Sequence, residues 1–334
     1  MSYDANILRR ATEQLEARHN SEVERVARLR AQVYAKEPRL EQLDRNLQGT
    51  MSKLMAVALR NGESPAKAIR AIREQNLDLQ RERAVLLGSL GLPEDALEEK
   101  PLCPLCGDTG WKGAKMCSCL KELCTQEQNR ELSKLLDLGD KSFDTFSMEY
   151  YSQNIWPGQG ESPQKRMELI YEVCLNYAEK FGRFSVRNLF LSGAPGLGKT
   201  FLSACIARTV SAKGFSVVYD TAASIFAQFE STKFARDREE AREARDDTRR
   251  YLNCDLLILD DLGSELTTQF TQAFLYEIVN TRLVSHKCTV ISSNLSMKDV
   301  GRRYAPQITS RLQGEYQTLT FFGDDIRLLK KKGR

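Results

Sequence analysis

A glycine-rich stretch at 193–200 is the part of the sequence best suited to chemistry, and it reads Gly-Ala-Pro-Gly-Leu-Gly-Lys-Thr. It follows the apolar run 189–191 and precedes a fairly apolar helix predicted over 201–210. Its inner glycines allow a tight turn whose backbone N–H groups point at phosphate oxygens, and the helix N-terminus adds its dipole. In such a loop Lys199 reaches the β- and γ-phosphates and Thr200 binds Mg²⁺. A chance turn is the alternative, but both flanks favour a nucleotide-binding loop. Its residues are Gly193, Ala194, Pro195, Gly196, Leu197, Gly198, Lys199, Thr200 and Phe201.

A second stretch, 255–263, supports the same chemistry. It reads Asp-Leu-Leu-Ile-Leu-Asp-Asp-Leu-Gly, an apolar run typical of a buried parallel strand that ends in two carboxylates. Asp260 fits the Walker B acid associated with Mg²⁺. Asp261 stands where many NTPases carry the acid that polarises the attacking water. Such a strand says little by itself, but after the glycine-rich loop it predicts a site for nucleotide hydrolysis.

Composition sets the broad class of the protein. The 334 residues have room for two domains, or for one domain with a large extension. A formal charge of +4 with 28% charged residues permits nucleic-acid contact without requiring it. No apolar run approaches the roughly 18 residues of a membrane span, and the first residues are polar and charged. The sequence therefore predicts a cytoplasmic protein that makes no membrane contact.

The nine cysteines divide into two groups. Four lie in apolar helix and strand patterns and are expected in the core: Cys174, Cys205, Cys254 and Cys288. The other five crowd between 103 and 124, which in a cytosolic chain favours metal over disulfides. Cys103 and Cys106 form a C-x₂-C zinc knuckle. Cys117 and Cys119 are the preferred second pair because they end a short glycine-rich hairpin, and Cys124 could replace one of them. This pattern predicts a closed, structural zinc site, with free reduced cysteines as the alternative.

Residues 4–90 are predicted to be helical almost throughout. Apolar residues recur at near-helical spacing, Pro38 interrupts them, and Ser64-Pro65 begins a third helix that ends by Gly91. The helices form an antiparallel hairpin or small bundle. This is either a scaffold or a partner-docking module, and the sequence leaves both open. The predicted domains are a helical partner-docking region (1–95), a zinc-binding module (96–125), a linker (126–162) and an ATPase domain (163–334).

The last of these domains is predicted to be α/β. Strands are expected at 187–192, 215–220, 289–294 and 316–321 in addition to the run at 255–263, and helices at 126–136, 163–181, 199–213, 221–230 and 268–285. Helix 268–285 is predicted to turn Phe270, Phe274, Ile278 and Leu283 inward. The charged segment 231–252 favours a solvated helix with ion pairs. Alternatively, its Lys233, Phe234, Arg236 and Arg238 could face a nucleic-acid backbone.

Three further side chains are candidates for the reaction. Asn294 ends an apolar strand, and in an open parallel sheet that end lines the ligand crevice. Its amide could orient the lytic water there, although a plain turn residue is the alternative. Arg311 and Arg327 could supply the fixed, bidentate cation that charge on the γ-phosphate needs, one in its own subunit and one in a neighbour. Arginines near a chain end are otherwise ordinary surface residues.

Four motifs, in this order, resemble the DnaC/DnaI-type bacterial replicative helicase loaders and the related IstB-type transposition ATPases. They are Gly-Ala-Pro-Gly-Leu-Gly-Lys-Thr-Phe-Leu, Leu-Leu-Ile-Leu-Asp-Asp-Leu-Gly, Ser-Ser-Asn-Leu and Ile-Thr-Ser-Arg-Leu. Phe-Asp-Thr-Phe and Phe-Phe-Gly-Asp-Asp-Ile-Arg look like the loader branch, and the resemblance covers about residues 140–330. The cysteine region, with Cys-Gly-Asp-Thr-Gly-Trp, looks like the zinc-bearing part of some loaders.

The resemblance implies an AAA+ P-loop fold with a parallel five-stranded sheet and a reduced lid, and ATP bound between subunits. Carried over by position, Lys199 and Thr200 are Walker A, Asp260 the Walker B metal acid, Asp261 the catalytic acid, Asn294 sensor 1, Arg311 the arginine finger and Arg327 the second sensor. Asp261 departs from the Glu common in AAA+ proteins, which shortens the carboxylate by one methylene. The family further implies an amino-terminal domain that grips the hexameric helicase, and single-stranded DNA contact by the ATPase domain.

These expectations describe an ATP-dependent loader of the hexameric replicative helicase. ATP and single-stranded DNA would switch its grip, hydrolysis would be slow and DNA-stimulated, the cofactors would be ATP, Mg²⁺ and Zn²⁺, and the chain would self-associate through the ATP site. Three alternatives stay open. They are an IstB-like ATPase that targets or regulates a transposase, a small-molecule P-loop kinase, and a zinc-bearing DNA-binding adaptor with vestigial ATP binding.

Overall fold

The computed structural model describes residues 3–50, 65–136, 141–183, 186–234 and 248–332. The chain divides into two compact units, one formed by the residues up to Thr12 and from Ser118 onward, the other by Glu13–Cys117. The four-part domain division made from the sequence stays a prediction. Within the described ranges, no helix has the length and apolar character that crossing a membrane requires.

The described residues of the region 4–90 are helical, as predicted. Its helices are α1 (Ala5–Lys36), α2 (Pro38–Gln48) and α3 (Pro65–Ser89). Pro38 takes the first position of α2, where its missing N–H costs nothing. After α3, Gly91 adopts a φ of +72° while Leu92 N–H donates to Leu87 O at 3.0 Å, the pattern of a Schellman cap. The stop signal at Gly91 is therefore confirmed, whereas the start signal at Ser64 lies outside the described residues.

The core of the Glu13–Cys117 unit is small, and it contains Val33, Leu40, Leu43, Leu87 and Leu97. A two-residue hairpin follows, β1 (Trp111–Lys112) paired antiparallel with β2 (Lys115–Met116). The glycine-rich hairpin expected between the cysteine pairs is thus present. The helix after it, α4 (Ser118–Leu136), begins well before the predicted start at 126, because Leu120 and Leu123 already bury one of its faces.

The larger unit is built on one parallel sheet of five strands in the order β4-β5-β6-β3-β7. The strands are β3 (Asn188–Ser192), β4 (Val217–Thr221), β5 (Leu256–Leu262), β6 (Cys288–Ser293) and β7 (Gln317–Thr320). The central strand β3 alternates: Leu189 and Leu191 pack into one core cluster and Phe190 into the other. The α/β class with a five-stranded parallel sheet and a helical amino-terminal region is confirmed, and the reduced lid stays a prediction.

Helices cover both faces of this sheet. They are α5 (Pro163–Glu179), α6 (Lys199–Ala212), α7 (Ala222–Phe234), α8 (Gln269–Val284), α9 (Met297–Arg303), α10 (Pro306–Glu315) and α11 (Ile326–Lys332). The last three were not predicted, because their short spans carry little apolar periodicity.

On α8, Phe274 and Ile278 face inward as expected, but Phe270 is 38% exposed. The prediction for Phe270 was wrong because it lies in the first turn of α8, ahead of the buried stretch of that helix. The charged residues 235–247, with Arg236 and Arg238, lie outside the described residues, as do the side chains of Lys233 and Phe234.

Arg282 on α8 is completely buried and was missed by the sequence reasoning. Its guanidinium donates to four carbonyl oxygens, those of Tyr251 at 2.7 Å, Leu252 at 3.3 Å, Cys254 at 3.1 Å and Cys288 at 2.6 Å. Its Nε also donates to Thr289 Oγ1 at 3.0 Å. These contacts join the segment before β5 to the start of β6, so the side chain holds together the N-terminal ends of two adjacent strands.

We expect Arg282→Met to lower the free energy of unfolding by about 3 kcal/mol or more, because it leaves several buried carbonyl groups without donors at roughly 1–3 kcal/mol each. Urea denaturation measures the change. Arg302→Met is the matched control, since Arg302 is 68% exposed and its ion pair among the described residues is with Asp299 on its own helix. Equal stability of the two variants would contradict the structural role of Arg282.

Candidate nucleotide-binding site

The glycine-rich loop joins β3 to α6, as the sequence predicted, and its backbone conformation requires glycine. Gly198 is the N-cap of α6 in the left-handed region with φ +94°. Gly193 has φ +154°, and a Cβ there would lie 2.5 Å from Phe321 O. The segment after β7 also braces the loop, because Ile326 N–H donates to Gly196 O at 3.0 Å. The loop is therefore pre-shaped by packing against a distant part of the chain.

Lys199 is buried inside this loop. Its ammonium donates to Gly193 O at 2.5 Å, Ala194 O at 2.7 Å and Asn294 Oδ1 at 2.9 Å. Burial lowers the pKa of Lys199 to about 8, and the nearby carboxylates of Asp261 and Asp260 oppose that shift. A phosphate in the loop would give the ammonium an anionic acceptor in place of neutral oxygens.

Asp260 lies at the carboxyl end of β5 with both of its oxygens engaged. Oδ2 accepts from Thr200 Oγ1 at 3.2 Å and from the Tyr219 hydroxyl at 2.6 Å. Oδ1 accepts from the Ser292 hydroxyl. A threonine hydroxyl beside a carboxylate is a hard oxygen donor set, which is what Mg²⁺ prefers. Thr200 and Asp260 therefore fit the ion that P-loop sites employ.

Asp261 reaches the same edge of the sheet through a local distortion. Its φ is +58°, and the pairing of β5 with β6 shifts register between Leu259 and Leu262. This bulge re-aims the side chain, which would otherwise point away from that of Asp260. Asp261 Oδ1 then accepts from Asn294 Nδ2 at 2.6 Å. Asn294 thus links Lys199 to Asp261, and the roles given to these residues stay predictions.

The two arginines occupy different environments. Arg311 on α10 donates from Nε and Nη2 to Asn280 Oδ1 at 3.0 and 2.8 Å, and its guanidinium lies 4.7 Å from the centre of the Tyr276 ring. In the part of the chain that the structure describes, its hydrogen-bond partners are Asn280, Tyr276 and Gln307. The exposed Arg327 is close enough to the loop to help lower the pKa of Lys199. Arg327 therefore lies near the glycine-rich loop of its own chain, whereas the contacts of Arg311 are with residues of α8 and α10.

Some residues of the site were assigned no role from the sequence alone. Tyr219 and Ser292 hold Asp260, and the Tyr151 hydroxyl donates to Leu197 O at 3.1 Å. Phe146, from the Phe-Asp-Thr-Phe segment, lies 5.4 Å from Phe201 between ring centres. A usable signal existed for two of them, because Tyr219 and Ser292 lie near the carboxyl ends of strands adjacent to β5.

The predicted zinc ligands converge independently of the nucleotide site. Sγ atoms of Cys103, Cys106, Cys117 and Cys119 lie within 4.8 Å of one another. The Cys103 and Cys117 sulfurs are 3.8 Å apart, close to the separation of about 3.8 Å that tetrahedral Zn–S bonds of about 2.3 Å impose. This cluster could therefore hold zinc. Cys124 is not part of it; burial raises the pKa of its thiol to about 11, which disfavours the thiolate a metal needs.

A side chain near the cysteines shapes the knuckle. Asp108 accepts the backbone N–H groups of Leu102 at 2.9 Å and Cys103 at 2.7 Å, and it lies 3.0 Å from His19 Nδ1. It has a φ of +60° directly after Gly107, so the turn is tight. Fixing the backbone at Cys103 pre-orients the first cysteine pair.

Comparison with known proteins locates the similarity in the larger unit. Residues 180–314 match the family described as IstB-like ATP binding protein. The replicative helicase loader DnaC of Buchnera aphidicola subsp. Acyrthosiphon pisum is 24% identical over 187 residues, which is 56% of this chain and 69% of that protein. DnaC of Escherichia coli K12 is 26% identical over 137 residues, which is 41% of this chain and 54% of that protein.

Among solved structures, the crystal structure of the DnaC helicase loader matches with a TM-score of 0.44 and 18% identity, covering 56% of this chain and 99% of that chain. This chain spans 54% of the length of the Escherichia coli relative and 69% of the Buchnera one. The resemblance that the motifs indicated is confirmed: the chain is similar to the DnaC-type AAA+ loaders, which are related to the IstB-like ATP-binding proteins.

Proposed function

We propose that this chain is an ATP-dependent loader of a hexameric replicative helicase onto single-stranded DNA. The observation that carries the ATPase part is the convergence of Lys199, Thr200, Asp260, Asp261 and Asn294 at the carboxyl edge of one sheet. The loader part is supported by the sequence similarity to proteins named replicative helicase loaders. ATP binding and hydrolysis switch the affinity of the chain for helicase and DNA.

The residues of the site divide the chemistry among them. The loop backbone and Lys199 bind the phosphates, Thr200 and Asp260 hold Mg²⁺, which neutralises phosphate charge, and Asp261 polarises the attacking water. Asn294, hydrogen-bonded to Asp261, orients that water. The aspartate at 261 reaches one methylene less far than a glutamate, which suits slow, DNA-stimulated hydrolysis of the kind a switch requires.

Contacts outside the nucleotide site supply the rest of the proposed activity. Arg311 is fixed by Asn280 and Tyr276 on the α8–α10 side of the unit, so we assign it to the ATP of a neighbouring subunit, and Arg327 to the ATP of its own. The unit Glu13–Cys117 contains none of the nucleotide-site residues, and we assign helicase docking to it. The match to IstB-like proteins supports one other function, an ATPase that targets or regulates a transposase.

The partner is tested by size-exclusion chromatography of the chain with the replicative helicase of the same organism. We expect a co-eluting complex that ATP and single-stranded DNA regulate, and we expect Lys199→Ala to lose that regulation. Lys213→Ala, at the exposed end of the same helix, is the matched control. Co-elution with a transposase instead would move the assignment to the transposition ATPases, and phosphate transfer to a small molecule would contradict both.

The arginine finger is tested by mixing two inactive variants. Arg311→Ala and Lys199→Ala are each expected to lose at least about 100-fold in ATPase activity, since a finger contributes 10³-fold or more. Their mixture should regain a clear fraction, because some interfaces pair an intact phosphate loop from one chain with an intact Arg311 from the other. Arg302→Ala should stay active. A mixture that co-assembles without regaining activity would contradict a finger supplied by the neighbour.

The zinc site is tested by metal analysis of the purified chain. We expect one zinc per chain, lost in Cys106→Ser and kept in Cys124→Ser, because only the first substitution removes a converging thiolate. Atomic emission spectroscopy gives the metal content. If Cys124→Ser loses zinc while Cys119→Ser keeps it, the ligand set given by the structure is wrong.

A further inference from the structure

We propose that Tyr219 is a positioning residue that presents the Asp260 carboxylate to Mg²⁺. The inference rests on the proposed ATPase function and goes beyond it, because Tyr219 belongs to none of the motifs of the site. Tyr219 lies on β4, a different strand from the phosphate loop and from both acidic residues.

The contact is short and buried. The Tyr219 hydroxyl donates to Asp260 Oδ2 at 2.6 Å, and the two residues are only 5% and 6% exposed. Thr200 shares the same oxygen at 3.2 Å, while Ser292 donates to the other. Three hydroxyl groups therefore fix the carboxylate.

Strand register explains how a residue of β4 reaches this position. β4 and β5 are parallel neighbours, with Thr221 opposite Asp260 and Tyr219 opposite Ile258. Along β4, Tyr219 therefore lies two residues before the position opposite Asp260, and its side chain is on the same face of the sheet as that of Thr221. A tyrosine side chain, measured from Cα to its hydroxyl oxygen, is about as long as a two-residue step of roughly 6.6 Å, so it can lean along the strand and place its hydroxyl at the carboxylate. A shorter side chain at 219 would not reach.

The three hydroxyl donors to Asp260 differ in whether their hydrogen bonds can persist when Mg²⁺ and ATP bind. Thr200 is exposed and is itself assigned to the ion, so its bond to Asp260 is given up when the ion binds. Tyr219 and Ser292 are buried beneath the carboxylate and can keep their bonds. Groups that hold a metal-binding carboxylate typically change metal affinity by about 10- to 100-fold when they are removed. Tyr219→Phe removes one such hydroxyl and keeps the ring.

Tyr251 provides a matched control. It is also buried, and its hydroxyl donates to a carboxylate oxygen, Asp220 Oδ2, at 2.8 Å. Asp220 has no part in the proposed site. The same hydroxyl also contacts Gln228 Oε1 at 2.7 Å and accepts from Arg250 Nη2 at 2.8 Å. Tyr251→Phe therefore removes at least as many hydrogen bonds of a buried tyrosine from the same unit, and it measures what that loss costs when Asp260 is not involved.

The experiment titrates Mg²⁺ against the binding of a fluorescent ATP analogue, followed by anisotropy, without reference to turnover. We expect Tyr219→Phe to raise the Mg²⁺ concentration for half-maximal effect by about tenfold or more, in line with other groups of this kind. Binding in EDTA should be unchanged, and Tyr251→Phe should behave as the unsubstituted chain. Ser292→Ala, which frees the other oxygen, should shift the titration in the same direction.

Two results would overturn the inference. One is an unshifted Mg²⁺ titration in Tyr219→Phe, whatever Ser292→Ala does. The other is an equal loss of binding with and without Mg²⁺ in Tyr219→Phe, which would show a general structural role. Lys199→Ala separates this failure from that of the proposed function. If Lys199→Ala still binds the analogue as tightly as the unsubstituted chain, the nucleotide site itself is wrongly placed.

Discussion

The candidate site depends on one geometric constraint: the side chains of two consecutive residues of β5, Asp260 and Asp261, lie at the same edge of the sheet. Side chains of a regular strand alternate between its faces, so Asp260 and Asp261 would point to opposite layers of the sheet. The register shift between Leu259 and Leu262, with Asp261 at φ +58°, removes that conflict. An aspartate tolerates the left-handed region better than most residues, because its short polar side chain can bond locally. A separate contact holds the backbone there, since the Asp261 backbone N–H donates to Ser292 Oγ at 3.1 Å.

The strand order brings the remaining groups to these acids. β6 lies between β5 and β3, so Asn294, just past the end of β6, lies between the acids and the phosphate loop and bonds to both sides. β4 flanks β5 on the other side and contributes Tyr219. β7 flanks β3, and the segment after it closes against Gly193 and Gly196. Every strand of the sheet therefore contributes a residue to the site or a contact that holds the site residues in place. The site consequently depends on the folded sheet.

The sequence was informative wherever a local pattern had a local cause. The loop glycines, the buried run before the two acids, the knuckle cysteines and the stop at Gly91 all act over a few residues, and the structure places them as their spacing predicts. Contacts between residues that are distant in the sequence could not be predicted from local patterns. Tyr219 is an ordinary strand residue until the register sets it opposite Ile258, and Arg282 looks like a solvated helix residue until β6 covers it. Phe270 shows the reverse error, since helical periodicity alone does not say how far along a helix the burial extends.

Two buried cationic side chains, Arg282 and Lys199, lie in different environments. Arg282 is surrounded by carbonyl oxygens in the geometry its planar guanidinium requires, so its charge is solvated by the protein itself and no ligand is needed. Lys199 is also buried, and that burial lowers its pKa to about 8, which means that burial disfavours its charged form. An anion placed between the loop backbone and Lys199 would oppose this effect of burial. Arg282 therefore has a structural role, whereas the environment of Lys199 suits an anionic ligand.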